Sequence, residues 1–205
     1  MNLKKHRKSI ISIIALLLFS IITIILLNGL TESLDTKIHN LVINLRTPLL
    51  TNIMLIITNL CSVIGIIIIS IIFLIIYRKK QIFHYIVINL VNSILLSQLF
   101  KLIIRRDRPI NINIIEETGF SYPSGHSMVS MAFFGLFAYL IYKNMKNLFL
   151  KTILITLLII IIILIGFSRI YLGVHYFSDV IGGFLISFAY LMTFINLTKL
   201  KNPLK

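Results

Sequence analysis

The sequence predicts an all-α membrane protein: a bundle of six transmembrane helices, with a short interfacial helix between the first and second spans. Three observations predict it. Of 205 residues, 58% are hydrophobic, and the mean hydropathy of +1.01 lies well above that of an ordinary soluble domain. The apolar residues gather in runs long enough to cross a hydrocarbon layer roughly 30 Å thick. The basic residues fall in short clusters between those runs, a pattern set by membrane topology. The formal charge of +14 therefore does not point to nucleic acid, and no nucleic-acid partner is expected.

The first run, Ser9 to about Leu27, follows a basic head of Lys4, Lys5, Arg7 and Lys8. A signal peptide begins in the same way, but this run exceeds the usual apolar core of about 7–15 residues and lacks a small-x-small cleavage site, so it is read as the first span. From Thr31 to Pro48, Leu34, Ile38, Leu41, Val42 and Leu45 recur at helical spacing, with Glu32, Asp35, Lys37 and Arg46 among them. That pattern predicts an amphipathic helix lying in the interface. The second span runs from about Asn52 to Tyr77 and stops at Arg78, Lys79 and Lys80; the third runs from Ile82 towards Phe100.

The third run is less oily, with Asn89, Asn92, Ser93, Ser97 and Gln98 leading into Lys101, Arg105 and Arg108. On a wheel of 100° per residue, Ser97, Lys101, Arg105 and Arg108 share an arc of about 80°. Pro109 disfavours helix at Arg108, so the helix loosens there and lets the arginine turn inward. A loop to Tyr122 carries Asp107, Glu116 and Glu117, and the fourth span opens at Pro123-Ser124-Gly125-His126 and ends near Tyr142. Its first-turn N–H groups at Ser124, Gly125 and His126 are expected to be open to an anion. The fifth span, almost pure Ile and Leu, reaches about Gly166, and the sixth runs from about Val180 to Leu197, with Gly182 and Gly183 allowing close helix contact.

Six spans put both termini on one side. On that side fall Lys4, Lys5, Arg7, Lys8, Arg78, Lys79, Lys80, Lys143, Lys146, Lys151, Lys199, Lys201 and Lys205, with no acid among them, whereas the other side holds all six acids. The positive-inside rule then places both termini in the cytoplasm and the polar stretches around Lys101, Pro123 and Ser168 together on the outer face. The whole chain, 1–205, is expected to form a single integral-membrane domain. Cys61, the one cysteine, has no partner for a disulfide, and oligomeric state leaves no mark in such a pattern.

Between the last two spans, Ser168–Asp179 reads SRIYLGVHYFSD. If its second half is helical, His175 and Asp179 share a face four residues apart, and the carboxylate can accept the Nδ1 proton and leave Nε2 with a free lone pair. Arg169 adds a fixed guanidinium whose fork suits phosphate or carboxylate. With Lys101 and Arg108, three cations can neutralise the oxygens of a phosphoryl group in transit, while the N–H groups of Ser124 and Gly125 donate hydrogen bonds. His175 is placed to attack phosphorus, and His126 is the natural acid for the departing oxygen. Neither a dense carboxylate set for Mg²⁺ nor a histidine cluster for Zn²⁺ occurs, so no metal and no cofactor are expected. With His126 protonated and His175 neutral in the working form, the pH profile should be bell-shaped.

The segments K-x6-RP (Lys101, Arg108, Pro109), PSGH (Pro123–His126) and SR-x5-H-x3-D (Ser168, Arg169, His175, Asp179) resemble, in type and order, the three-part signature of the phosphatidic acid phosphatase type 2 family. The resemblance covers residues 101–179 without a departure at a signature position, and the six-span layout resembles the membrane branch of that family. What it implies is a metal-independent phosphatase in which His175 becomes a phosphohistidine, Asp179 orients it, and His126 protonates the leaving group and later activates water. It also implies a lipid substrate: undecaprenyl diphosphate, phosphatidylglycerophosphate or phosphatidic acid. The vanadium haloperoxidases share the signature, but they are soluble. A lipid-linked phosphotransferase and a non-enzymatic lipid-phosphate transporter are the rival readings; the latter leaves the His175–Asp179 pair without a purpose.

Outside the signature, His6 and His39 read as surface residues and His84 as an interfacial anchor. Arg105 and Arg106 either extend the phosphate cradle or contact anionic headgroups. Ser168 either binds phosphate or holds the turn, and Ser127 and Ser130 serve helix packing. Asp107, Glu116 and Glu117 either offset local positive charge or gate the entrance.

Overall fold

The computed structural model of the protein describes residues 3–77, 80–110 and 112–198. Arg78, Lys79, Lys199, Lys201 and Lys205, five of the cations used for topology, lie outside the described residues. Among those described there are eight α-helices and no strand: α1 (Leu3–Leu27), α2 (Glu32–Ile43), α3 (Pro48–Asn59), α4 (Val63–Tyr77), α5 (Lys80–Ile104), α6 (Gly125–Asn144), α7 (Leu148–Tyr171) and α8 (Phe177–Leu197). Five of them, α1, α5, α6, α7 and α8, are long and apolar enough to cross a membrane.

The expected second span is not one helix. It is broken into α3 and α4, which bend by 60° and make a sixth crossing only if taken as a pair. Around the break, Leu60, Cys61 and Ser62 turn back to the carbonyls of Ile57, Thr58 and Asn59, and the Ser62 hydroxyl accepts from Gly65 N–H. A Cβ on Gly65 would stand 2.4 Å from the Asn59 carbonyl. An unbroken hydropathy signal cannot report such a bend, because both arms are apolar.

The central helix is α6, packed against α5, α7 and α8; α1 lies along α8, and α3 against α7. Phe133, Phe137 and Leu140 of α6 meet Ile165, Leu191 and Phe194 in the main core. The outward faces of α1 and α7 present Leu17, Ile24, Ile160 and Ile163, the apolar exterior that lipid covers. Polar pins join the helices where each unpaired group would be costly: Ser12 Oγ donates to Ala189 O, Asn89 Nδ2 to Ala132 O and Ser187 Oγ to Met128 O. Gly182 and Gly183 let α8 close on Tyr122 and on the start of α6, where a Cβ would meet the Tyr122 ring at 2.6 Å or the Ser124 carbonyl at 2.8 Å.

Three boundaries differ from the sequence reading, and each bears on the site. Helix α5 ends at Ile104, with Arg105 in the left-handed region at φ 52°, so Arg108 reaches the site from the following loop and does not share a helical face with Lys101. Helix α7 runs on to Tyr171, which puts Ser168 and Arg169 in its last turn. Helix α8 begins at Phe177, so His175 sits just before the helix and Asp179 in its first turn.

Candidate active site

The ends of α5, α6, α7 and α8 and the loop after α5 bring the signature residues together. His175 is buried, 1% exposed, and its two ring nitrogens face different partners. Nε2 lies 3.3 Å from Arg108 Nη1. Nδ1 lies 3.4 Å from Asp179 Oδ2 and 3.2 Å from Ser121 Oγ, and Ser121 Oγ also donates to Asp179 Oδ2. Asp179 is therefore shared: Oδ2 accepts from Ser121 and from Tyr176 N–H at 2.8 Å, while Oδ1 accepts from Arg106 Nη1 at 2.6 Å. Burial lowers the His175 pKa to about 4, with the Asp179 contact opposing the shift. The imidazole is neutral at pH 7, and a neutral ring whose Nδ1–H faces Asp179 and Ser121 presents its Nε2 lone pair to Arg108.

Arg108 is held by backbone carbonyls: Nη1 donates to Val174 O at 2.9 Å, Nε to Gly119 O at 2.9 Å and Nη2 to Thr118 O at 3.1 Å. Its fork is fixed without a carboxylate in contact, the nearest being Glu117 at 3.9 Å. Arg169, 1% exposed, donates through Nη1 to Thr58 Oγ1 at 2.7 Å and through Nη2 to Glu117, while its Nε has no partner among the described residues. Burial opposes ionisation of Glu117, but the guanidinium of Arg169 overrides it and holds the carboxyl below its ordinary range. Arg108, Glu117, Asp107, Pro109 and Asn113, with Val174 beside His175 in the chain, line an open cavity of about 440 Å³.

Lys101 and His126 make no hydrogen bond or ion pair to the described residues. Both are within electrostatic range of the cluster: Lys101 of Arg108, Asp179 and Arg169, and His126 of Arg169, Glu117, His175 and Lys101. Ser124 caps α6, its hydroxyl accepting from Ser127 N–H and from Ser127 Oγ. Its own N–H donates to Asp179 O at 3.0 Å, so the expected availability of that group to an anion is corrected. The N–H groups of Gly125 and His126, at the first turn of α6, have no intrahelical carbonyl to meet. Lys101, Arg108, Ser124, Gly125, His126, Arg169, His175 and Asp179 thus all lie in or beside one cluster.

Several readings outside the signature change. Arg106 bridges Asp179 to Asp35 of α2, with Nη2 2.7 Å from Asp35 Oδ2, and stacks over the Tyr176 ring at 4.0 Å. Asp35 and His39 of α2 are buried, so neither is a surface residue; the inner face of α2 packs against α7 and α8. Ser168 Oγ donates to Ile165 O within its own helix, which serves the helix end. Glu117 grips Arg169. Four residues that the sequence left unmarked contribute: Asp35, Thr58, Ser121, and Arg46, whose guanidinium donates to Tyr171 O and Ile112 O and closes the end of α7. Among the described residues no group of three or more His, Cys, Asp or Glu side chains is arranged to hold a metal ion.

Apolar helices whose ends gather positive charge around an uncharged imidazole define a class, integral-membrane proteins built to handle an anion. Within it the family is shown directly: residues 81–203 match the PAP2 superfamily, and the chain belongs to it. It is 31% identical, over 82% of its length and 85% of the relative's, to phosphatidylglycerophosphatase B of Bacillus subtilis strain 168. The fold is similar to the crystal structure of a transmembrane PAP2-type phosphatidylglycerolphosphate phosphatase from Bacillus subtilis, with a TM-score of 0.84 and 28% identity, covering 93% of this chain and 98% of that one. It is similar also to LpxE of Aquifex aeolicus, with a TM-score of 0.61 and 26% identity, covering 80% and 95%. The protein is a multi-pass membrane protein of this family.

Proposed function

We propose that this membrane PAP2 lipid phosphatase hydrolyses phosphatidylglycerophosphate through a phosphohistidine at His175, with all 205 residues acting as one unit. The observation that carries the reading is the pairing at His175: a fixed guanidinium 3.3 Å from Nε2 and a carboxylate and hydroxyl behind Nδ1. A phosphoryl group that takes the place of the Arg108 N–H at Nε2 meets the lone pair while its oxygens stay beside the guanidinium. The Nε2 lone pair attacks phosphorus as the bond to the leaving oxygen breaks. His126 gives that oxygen its proton, and Asp179 stabilises the ring, which now carries phosphorus at Nε2 and its proton at Nδ1. His126 then takes a proton from water, the hydroxide attacks phosphorus, and inorganic phosphate leaves with Nε2 restored.

Lys101, Arg108 and Arg169 neutralise the charge that spreads over the phosphoryl oxygens, aided by the N–H groups of Gly125 and His126; Ser124 contributes by capping that turn. The donor set favours metal-independent chemistry, since cations take the positions that a metal would serve. The choice of phosphatidylglycerophosphate is supported by the activity named in the Bacillus subtilis matches, and undecaprenyl diphosphate and phosphatidic acid are the comparison substrates. With α3 and α4 counted as one bent crossing the chain has six spans, and the distribution of cations along it then favours cytoplasmic termini and an outward-facing site. The test is phosphate release by purified protein from the three lipids. Turnover of phosphatidylglycerophosphate that disappears in His175→Ala is expected; equal turnover in that variant contradicts the reading.

A further inference from the structure

Asp35 lies far from the signature in sequence, on a helix that carries none of it, yet it is only 2% exposed and is fully engaged. Its Oδ2 accepts from Arg106 Nη2 at 2.7 Å and from Ser178 Oγ at 2.6 Å, and its Oδ1 accepts from Ser178 N–H at 2.9 Å. Arg106 spans the gap with its other nitrogen, donating to Ser178 Oγ at 2.7 Å and to Asp179 Oδ1 at 2.6 Å. A buried carboxylate is kept only where its charge is matched. Here the match is a planar fork with one prong on Asp35 and the other on the carboxylate that backs His175.

We propose that Asp35, acting through Arg106, is a positioning residue for the reaction: it fixes the guanidinium that holds Asp179 in the orientation His175 needs. This rests on the assignment of His175 as the attacking group. The consequence follows from the shape of Asp179. One oxygen, Oδ2, must serve Tyr176 N–H, Ser121 and His175 Nδ1 together, so the carboxylate can face the imidazole only if rotation about its Cβ–Cγ bond is blocked. The bond from Arg106 to Oδ1 supplies that block, and Arg106 is itself immobilised by Asp35 below and by the Tyr176 ring at 4.0 Å. Helix α2, which by pattern alone is a helix resting on the membrane surface, is in this way a part of the catalytic end of the bundle.

The charged and titratable neighbours are defined on every side. Asp179, Arg108, Arg169 and His126 lie within electrostatic range of His175; Arg106, His175, Lys101, Arg108, Tyr122 and Tyr176 of Asp179, which also accepts from Ser121; and Arg106, His39 and Tyr176 of Asp35, which also accepts from Ser178. In Arg106→Gln the negative charge of Asp179 acts on His175 without its partner, which eases protonation of the ring and moves the acid limb of the pH profile upward, by half a pH unit or more on the order of magnitude set by one lost charge. In Asp35→Asn the guanidinium keeps its charge beside Asp179, so the limb does not rise, but it loses the second carboxylate that anchors it and no longer holds Asp179 in one orientation. Loosened packing alone gives both variants the same shift.

The experiment measures kcat, KM and the acid limb of kcat/KM for phosphatidylglycerophosphate in mixed detergent micelles, with Asp35→Asn, Arg106→Gln, the double variant and His175→Ala. Expected are a kcat loss of about tenfold in Asp35→Asn, by analogy with the outer partners of ligating imidazoles, with KM within about twofold. An upward limb shift is expected in Arg106→Gln only, with a double variant no worse than Arg106→Gln alone. A wild-type kcat in Asp35→Asn, losses that multiply in the double variant, or limbs that move together overturn the inference. If Asp35→Asn is not recovered folded, Ser178→Ala, which removes a donor to Asp35 Oδ2, takes its place: a several-fold kcat loss with an unmoved limb supports the inference, and a wild-type kcat overturns it. Full activity in His175→Ala would instead sink the functional reading, so the two failures are distinguishable.

Discussion

Adding one methyl group at Gly183 tests whether the contact between α6 and α8 sets the geometry of the site. A Cβ there stands 2.8 Å from Ser124 O and 3.0 Å from Ser127 Cβ, where ordinary contact begins at 3.4 Å, so the overlap with the carbonyl is about 0.6 Å. Neither partner yields easily: Ser124 O accepts from Met128 N–H at 3.0 Å, and Ser124 N–H donates to Asp179 O at 3.0 Å. The start of α8 must therefore move off the start of α6 by about half an ångström, at a cost of about 1–3 kcal/mol in stability for an overpacked interface. Asp179 and His175 move with α8, while His126 stays with α6. Since about 1 Å of misplacement costs on the order of 10²-fold in rate, half of that costs about tenfold. Thermal unfolding in detergent and kcat for lipid phosphate hydrolysis read the two effects separately. Gly135→Ala is the comparison: it joins the same two helices, but its Cβ crowds Leu191 Cδ2, at 2.6 Å, the end of a flexible side chain, and touches Met131 Sδ at an ordinary 3.8 Å. It is expected to lower stability and keep kcat within about twofold. A wild-type kcat in Gly183→Ala, or an equal kcat loss in Gly135→Ala, refutes the reasoning.

Thr58→Val removes the hydroxyl that holds Arg169 Nη1 at 2.7 Å and leaves a second guanidinium nitrogen unmatched beside Nε. A bond to a charged group is worth about 1.5–3 kcal/mol, so kcat/KM should fall by tenfold or more; a value within twofold of wild type speaks against Arg169 as a phosphate ligand. Ser121→Ala takes away a donor to Asp179 and the neighbour of His175 Nδ1, and kcat should fall several-fold, in line with a neutral bond worth about 1 kcal/mol, with KM unchanged. The acid limb of kcat/KM should lie near pH 4, because burial depresses the His175 pKa to about 4 and the neutral ring is the working form. The same depressed value contributes stability that is complete above the ordinary histidine pKa of 6.5 and is lost as pH falls through about 4. A limb centred at or above pH 6.5 would be the wrong sign. Chelation by EDTA should leave turnover unchanged, and a loss restored by Mg²⁺ contradicts the role given to Lys101, Arg108 and Arg169.

How much of this was legible in the sequence depends on how local each feature is. Lys101, Arg108, Ser124, His126, Arg169, His175 and Asp179 announce themselves because charged and small polar residues at fixed spacings interrupt apolar runs, and the fold class follows from the runs themselves. The partners of those residues are silent. Thr58 reaches Arg169 across 111 positions, and Asp35 reaches Ser178 across 143. A single threonine in an oily stretch, or a single aspartate on an amphipathic helix, has the same appearance whether it faces water or a guanidinium. His39 reads as a surface residue for that reason and is buried, since helical spacing shows which residues share a face and not what covers it. The bend between α3 and α4 was hidden because backbone turns at Leu60–Ser62 leave hydropathy untouched. Arg106 sat in plain view beside Arg108, and only coordinates could show that its fork serves carboxylates while the fork of Arg108 faces an imidazole.

The central claim is that phosphorus passes through His175. Purified protein quenched during turnover of lipid labelled with ³²P at its terminal phosphate tests this most directly. The account predicts label on protein that is lost in acid and kept in base, that maps to the peptide holding His175, and that is absent in His175→Ala. Label on another residue, or a His175→Ala protein that still releases phosphate at the wild-type rate, would contradict it.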